Sequence, residues 1–161
     1  MISLVRVDNR LIHGQVVEAW LPYLKVRRVV VADDEAAESG LIRSAMKLAV
    51  PENVEVSIQA LDAVPYGGIS DDDVKTMLLI RKVESVQVAQ QLGLKLHALN
   101  LGNVHFETGR RQISPSVFLS SKELDILRTM AASGISIDVR AVPSDKPINF
   151  DDLTQRYNRE V

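Results

Sequence analysis

A chain of 161 residues, 46% hydrophobic and 25% charged, has the composition of a soluble globular protein and is long enough to bury a substantial core. Its formal net charge of -2 gives no electrostatic footprint for nucleic acid or an anionic membrane, and no apolar run approaches the roughly 20 residues that cross a bilayer. Cysteine is absent, which excludes disulfides, thiolate metal sites and a cysteine nucleophile; covalent chemistry falls to His, Asp, Ser, Thr, Lys or Tyr.

In chain order, ISLVRV (2–7) predicts a first strand. From His13 to Leu24, Val16, Val17, Trp20, Leu21 and Leu24 recur with the spacing of one helix face. RRVVVADD (27–34) predicts a buried strand ending in acids, and 35–50 one helix that Pro51 stops. Residues 54–60 alternate as a strand, and 61–68 break into a turn-rich loop. A buried strand (74–80), a helix (83–93) closed by glycine and a strand (95–102) follow. Residues 103–114 show no clear period; 120–134 predict a helix, 135–142 a last strand, and FDDLTQRYNREV (150–161) a terminal helix.

Strands that are apolar throughout and alternate with helices predict one α/β domain over 1–161: an open, mostly parallel twisted sheet with helices on both faces. The N-terminus enters structure at once, without the pattern of a signal peptide, so a cytoplasmic protein is expected. Ligands of such sheets bind where loops leave the carboxyl ends of the strands. His13 lies in the loop after the first strand, Asp33 and Asp34 after the second, and Asn100 to His105 after the fifth.

The segment VRVDNRLIHGQVVEAW (5–20) concentrates chemistry at such a loop. A helix beginning near Gly14 leaves the amides of Gly14, Gln15 and Val16 free to receive an anion, and Gly14 carries no side chain to obstruct its approach. Arg10 offers a planar fork for two phosphoryl oxygens, and a neutral imidazole at His13 is a competent nucleophile. Asp8 could hold the histidine tautomer or orient Arg10. On spacing alone the blander alternative competes: a lone histidine beside a helix start is more often a capping or solvated residue, and Asp8 and Asn9 are ordinary loop and cap residues.

The wording of RVDNRLIHGQVVEAW closely resembles the active-site segment of the IIB component of the mannose/fructose/sorbose family of the sugar phosphotransferase system, commonly R-[IV]-D-[DN]-R-[LI]-[LI]-H-G-Q-V with a tryptophan a few residues on. NLGNVHFETGRRQIS is similar to that family's asparagine–glycine loop, and GISIDVRAVPSD to its closing strand. The resemblance covers essentially the whole chain. It implies that His13 is a transient phosphoryl carrier, loaded by a phosphohistidine on a IIA partner and discharged to a sugar held by membrane IIC and IID components. It further implies that Arg10 stabilises the phosphoryl group and that Asp8, Asn9, Gly14 and Gln15 bind or orient it, with neither metal nor cofactor required. Asparagine at position 9, often acidic in relatives, removes a charge that would repel phosphate. A homodimer is an expectation from the same source, as is attachment to the inner face of the membrane through partners. The rival is a phosphorylation-dependent regulatory module of the same fold uncoupled from transport; a nucleotide-binding domain is a weaker third.

Other candidates carry less. Asp33 and Asp34 suggest a phosphoacceptor aspartate or a magnesium site, but a receiver would want a lysine near the fifth strand; capping of a helix by Asp34 is the stronger expectation. His97, within a predicted strand, reads as a hydrogen-bonded interior residue, and His105 as a loop residue with a modest claim to a partner or phosphoryl contact. The three histidines have no metal-ligand spacing, and neither a P-loop nor a G-x-G-x-x-G is present. Asp71 to Asp73 read as a solvated face, and Arg27, Arg28, Arg110 and Arg111 as a basic rim for an acidic partner.

Overall fold

The computed structural model describes residues 1–159. Strand β1 (Ile2–Asp8) is followed by a π-helical turn (Val16–Trp20) that runs into the short helix α1 (Leu21–Leu24). Then come β2 (Arg28–Ala32), α2 (Asp34–Glu38), α3 (Gly40–Ala49), β3 (Glu55–Gln59), α4 (Tyr66–Asp71), β4 (Thr76–Ile80) and α5 (Val83–Gln91). The chain continues through β5 (Ala98–Asn103), a hairpin of β6 (Arg111–Ser114) and β7 (Val117–Leu119), α6 (Ser121–Ala132), β8 (Ser136–Val139), β9 (Ile148–Asn149) and α7 (Phe150–Arg159). Seven strands form one sheet in the order β3-β2-β4-β1-β5-β8-β9, parallel except for the edge pair β8–β9. The expected α/β class and mostly parallel sheet are what the fold shows.

Two apolar clusters flank the sheet. Val29, Val31, Met77 and Leu79 pack with Val16, Trp20, Leu21 and Ala36 on one face. Val30, Leu78, Ile80, Leu99, Leu101, Ile137 and Val139 pack with α4 to α7 on the other. Alternation along β2 and β4 thus sends apolar side chains both ways.

The expectation of strands apolar throughout fails in one half of the sheet. In β5 and β8 only Leu99, Leu101, Ile137 and Val139 join the apolar clusters. Their alternates are Asn100, Gly102 and Asp138, and on β1 the alternates of Val5 and Val7 are Arg6 and Asp8. The Trp20 side of β1, β5 and β8 is therefore a polar half-face inside the protein.

Other expectations are corrected locally. Helix 35–50 is two helices, because Asp33 caps α2 through Ala36 N–H (3.0 Å) and Ser39, extended, caps α3 through Ile42 N–H (3.1 Å). Asp34 is not the cap; its carboxylate accepts the Leu61 N–H instead. The loop at 61–68 ends in α4, where Tyr66 and Ile69 fill the core. Within 103–114 lies β6, whose Ile113 is buried. His97 precedes β5 and is exposed rather than interior. The helix after His13 winds through a π-turn, yet Val16, Trp20 and Leu21 still share the buried side. The predicted basic rim is largely spent internally. Arg28 is held by both oxygens of Asp72, and Arg110 by both oxygens of the buried Glu123. Asp72, the middle of the acidic triplet, is engaged rather than solvated. The terminal helix is described to Arg159, and the remainder of its predicted span lies outside the described residues.

Buried Tyr66 donates its hydroxyl to the Leu61 carbonyl at 2.6 Å. Burial, reinforced by Asp34 and Asp62, pushes its phenol up to about 12. The folded state therefore keeps a proton that the unfolded chain releases near pH 10, so stability falls as pH rises from about 10 to about 12. Urea titrations across that range should show Tyr66→Phe losing less stability than the parent, by about 1.4 kcal/mol per pH unit at most.

Candidate active site

The site begins where β1 ends. The Asp8 carbonyl accepts the Leu11 N–H (3.0 Å), and Asp8 Oδ1 accepts the Arg10 N–H (2.9 Å), a local Asp turn. Closing the turn puts Leu11 in the left-handed region at φ 57°, a conformation unfavourable for leucine that its complete burial holds in place. Two residues on, His13 is folded back over the strand end. Val17 N–H bonds the His13 carbonyl at 3.0 Å, so the amides of Gly14, Gln15 and Val16 stand ahead of that first helical bond. A Cβ built on Gly14 meets nothing within 4 Å, so packing does not demand glycine there.

The centre is the buried Asp8 carboxylate. Its Oδ2 lies 2.7 Å from His13 Nε2 and accepts from Asn103 Nδ2 at 2.9 Å and Arg6 Nε at 3.1 Å. Burial opposes its charge, but the His13 hydrogen bond, the Arg6 charge and the Asn103 hydrogen bond hold the carboxyl below the usual carboxylate range. An ionised carboxylate only accepts, so His13 Nε2 carries a proton and the tautomer set by this bond has its lone pair on Nδ1. Among the described residues Nδ1 has no hydrogen-bond partner, and the side chain stays 13% exposed.

Arg10 is exposed and makes no ion pair among the described residues. Its Nη2 donates to Gln15 Oε1 (3.3 Å) and Asn103 Oδ1 (3.2 Å), which leans the guanidinium toward the His13 turn. Gln15 Oε1 also accepts from Asn103 Nδ2 at 3.4 Å. Of the residues expected from sequence, Asp8, Arg10, His13, Gly14 and Gln15 thus come together. Asn9 joins through its backbone: its N–H donates to the Asn103 carbonyl, and its carbonyl accepts from Arg81, which Asp33 grips through both oxygens. His105 stays outside, exposed and paired with Glu107 at 3.2 Å. No group of three potential metal ligands occurs among the described residues.

Two participants are missing from the sequence reading. Asn103 ends β5 and bonds Asp8, Arg10 and Gln15 at once. Arg6 lies fully buried across β5: Nη1 donates to Asn100 Oδ1 (2.7 Å) and the Arg140 carbonyl (3.0 Å), and Nη2 to the Ala141 carbonyl (3.0 Å). It crosses at Gly102, where a Cβ would coincide with its guanidinium. The available signal was an arginine between Val5 and Val7, a charge in the middle of a core strand.

Topology explains the meeting place. From β1 the chain leaves toward β2 on one side, and from β5 toward β8 on the other, so Asp8 and Asn103 end neighbouring strands at a switch point. Comparison with known proteins agrees. The family model of the sorbose-subfamily IIB component of the PTS system matches residues 2–161. The chain belongs to that family. It is 27% identical over 151 residues to the fructose-specific EIIB component of Bacillus subtilis, covering 92% of this chain and 93% of that one. It is 27% identical over 161 residues to the mannose-specific EIIAB component of Escherichia coli K12, covering 99% of this chain and 50% of that longer protein. The crystal structure of manxB from Thermoanaerobacter tengcongensis superposes with a TM-score of 0.86 at 26% identity, over 98% of this chain and 96% of that one. PTS IIB components are phosphotransferases, and no helix among the described residues is long and apolar enough to cross a membrane.

Asp8→Asn leaves Arg6 buried without its charge partner and should lower stability at pH 7 by about 3 kcal/mol in urea titration. Because the folded Asp8 carboxyl lies below its unfolded value, its contribution is complete above about pH 4 and fades as the pH drops further. The gap between parent and Asp8→Asn should therefore narrow in that acid window. Gly102→Ala, which drives a methyl into the Arg6 guanidinium, should cost about 3 kcal/mol in the same assay.

Proposed function

We propose that this IIB protein carries a phosphoryl group on Nδ1 of His13, accepting it from a phosphohistidine on a IIA protein and passing it to a sugar bound by membrane IIC and IID components during uptake. The observation that carries the reading is the 2.7 Å bond from His13 Nε2 to Asp8, which leaves Nδ1 the ring nitrogen free of partners among the described residues, in a cluster that also holds Arg10 through Gln15 and Asn103. The EIIAB relative, whose name joins an A and a B component in one protein, supports a IIA donor.

In the loading step Nδ1 attacks phosphorus, the Nδ1–P bond forms, and the donor's N–P bond breaks with its electron pair leaving on the donor imidazole. Positive charge grows on the His13 ring, and the Nε2–H···Asp8 bond stabilises it as in other imidazole–carboxylate pairs. Arg10 and the amides of Gly14 and Gln15 face the equatorial oxygens, so the in-line transfer runs on positioning and positive potential. In the unloading step a sugar hydroxyl displaces His13 from phosphorus, and Nδ1 recovers its lone pair. The hydroxyl proton passes to a base on the sugar-binding side. This cycle places the protein in the cytoplasm, at the inner face of the membrane while its partners hold it.

Incubation with phosphoenolpyruvate, the general phosphotransferase proteins and a mannose-family IIA should add one acid-labile phosphoryl group, read by intact mass and mapped to His13. His13→Ala should accept none. Arg10→Ala should load about 100-fold more slowly, one electrostatic contact of this kind being worth about 3 kcal/mol. Near-normal loading of Arg10→Ala removes Arg10 from the mechanism, and no modification of the parent by an active IIA overturns the carrier reading.

A further inference from the structure

Arg6 has no part in the mechanism above, because its fully buried guanidinium cannot touch a phosphoryl group. One edge of it is nevertheless directed at the site. Nε and Nη2 lie 3.1 and 3.0 Å from Asp8 Oδ2, the same oxygen that meets His13. The far side of the fork is held by Asn100 and by the carbonyls of Arg140 and Ala141, beyond the end of β8. Its plane lies over the Trp20 ring at 5.2 Å, and Trp20 Nε1 donates to the same Ala141 carbonyl at 2.9 Å. One side chain of β1 thus reaches over Gly102 of β5 to the chain after β8 and returns to Asp8 Oδ2 one hydrogen bond from Nε and a close charge contact from Nη2.

We propose that Arg6 is a positioning residue for His13: it fixes which Asp8 oxygen faces Nε2 and holds that carboxylate against rotation, so that Nδ1 stays unprotonated and correctly aimed. The inference rests on the carrier reading for its use of Nδ1, and on geometry for the rest. Asp8 Oδ1 has one protein donor, the Arg10 amide, so that bond alone does not lock the carboxylate plane. The Nε hydrogen bond and the Nη2 charge at Oδ2 oppose that rotation, because they come from one rigid guanidinium plane anchored on Asn100 and the Arg140 and Ala141 carbonyls. Burial works against the Asp8 charge and the Arg6 charge works for it, so the same contact keeps the carboxylate an acceptor. An ammonium at position 6 would retain the charge and lose the fork.

The test uses the whole protein with Arg6→Met, Arg6→Lys and Asn100→Ala, each checked for native packing by the emission of Trp20, the sole tryptophan. The first readout is the His13 Nε2–H proton in 15N-edited NMR, which Asp8 should protect from exchange in the parent. The second is the rate of His13 phosphorylation by phosphoramidate, in which Nδ1–P forms, the reagent's P–N bond breaks and ammonia leaves, with no protein docking. Arg6→Met should lose the protected proton and react about tenfold or more slowly, the usual effect of removing a residue that orients a reacting group's partner. Arg6→Lys should restore part of both, and Asn100→Ala, which removes one anchor of the fork, should lie between parent and Arg6→Met. If Arg6→Met does not fold, the Asn100→Ala and Arg6→Lys results decide. Variants that are merely less stable, with proton protection and rate unchanged, overturn the inference. A parent with a protected Nε2–H that accepts no phosphoryl group from phosphoramidate or phospho-IIA overturns the carrier reading and leaves the role of Arg6 in ordering Asp8 intact.

Discussion

Oxygen Oδ2 of Asp8, shielded from water and approached by an imidazole, a guanidinium and an amide, is the contact on which the site depends. Each approaching group comes from a different part of the chain, so the carboxylate joins the end of β1, the turn that follows it and the end of β5. The left-handed Leu11, the missing Cβ of Gly102 and the polar face of Asn100 and Asp138 are conditions for that convergence. A buried carboxylate and a buried arginine are each costly apart; here their charges offset one another, while Asn100 and two main-chain carbonyls take the other Arg6 donors and His13, Asn103 and the Arg10 amide complete the carboxylate.

The sheet is two materials in one frame. Around β2 and β4 it is apolar on both faces, which gives a stiff platform with little chemistry. Around β5 and β8 one face turns polar, and a hydrogen-bonded layer takes the place of a hydrophobic one. Trp20 sits at the boundary, with the guanidinium carbons of Arg6 and Arg140 at 5.2 Å and 5.3 Å from its ring centre and its N–H on the Ala141 carbonyl. The indole lets the helix after His13 seal against that layer, because it presents an apolar ring with a single donor.

Much of this was legible in the amino-acid order. Continuous apolar runs in β2 and β4 reported their burial on both faces, and the short phrase around His13 held Asp8, Arg10 and Gln15 within reach of one another. The partners that complete the site were harder to read. Asn103 lies 95 residues from Asp8, and a separation of that size leaves no periodic trace. Arg6 was visible as a charge between valines, but its meaning required Gly102, whose value lies in atoms it lacks. The split of 35–50 at Ser39 was missed because Ser-Gly reads as a turn and as a helix start alike, and the alternation in β5 because LNLG mimics an ordinary loop entry. His97 was misassigned because the strand expected over 95–102 begins three residues later, at Ala98.

The order of strands has a consequence for how the molecule comes into being. β1 is made first but pairs with β4 and β5, whose residues begin at Thr76 and Ala98. During synthesis the segment holding His13 therefore waits with both edges open until Ile80 has emerged, and with one edge open until Asn103 has. Parallel pairings across such separations close slowly and leave apolar edges exposed meanwhile. Arg6 gains its last acceptor only once the carbonyl of Ala141 has been delivered to it. A nascent or truncated chain presents the same histidine and aspartate before Asn103 and the Ala141 carbonyl can hold them, so the arrangement around the histidine is acquired by completion of the sheet rather than by possession of the motif.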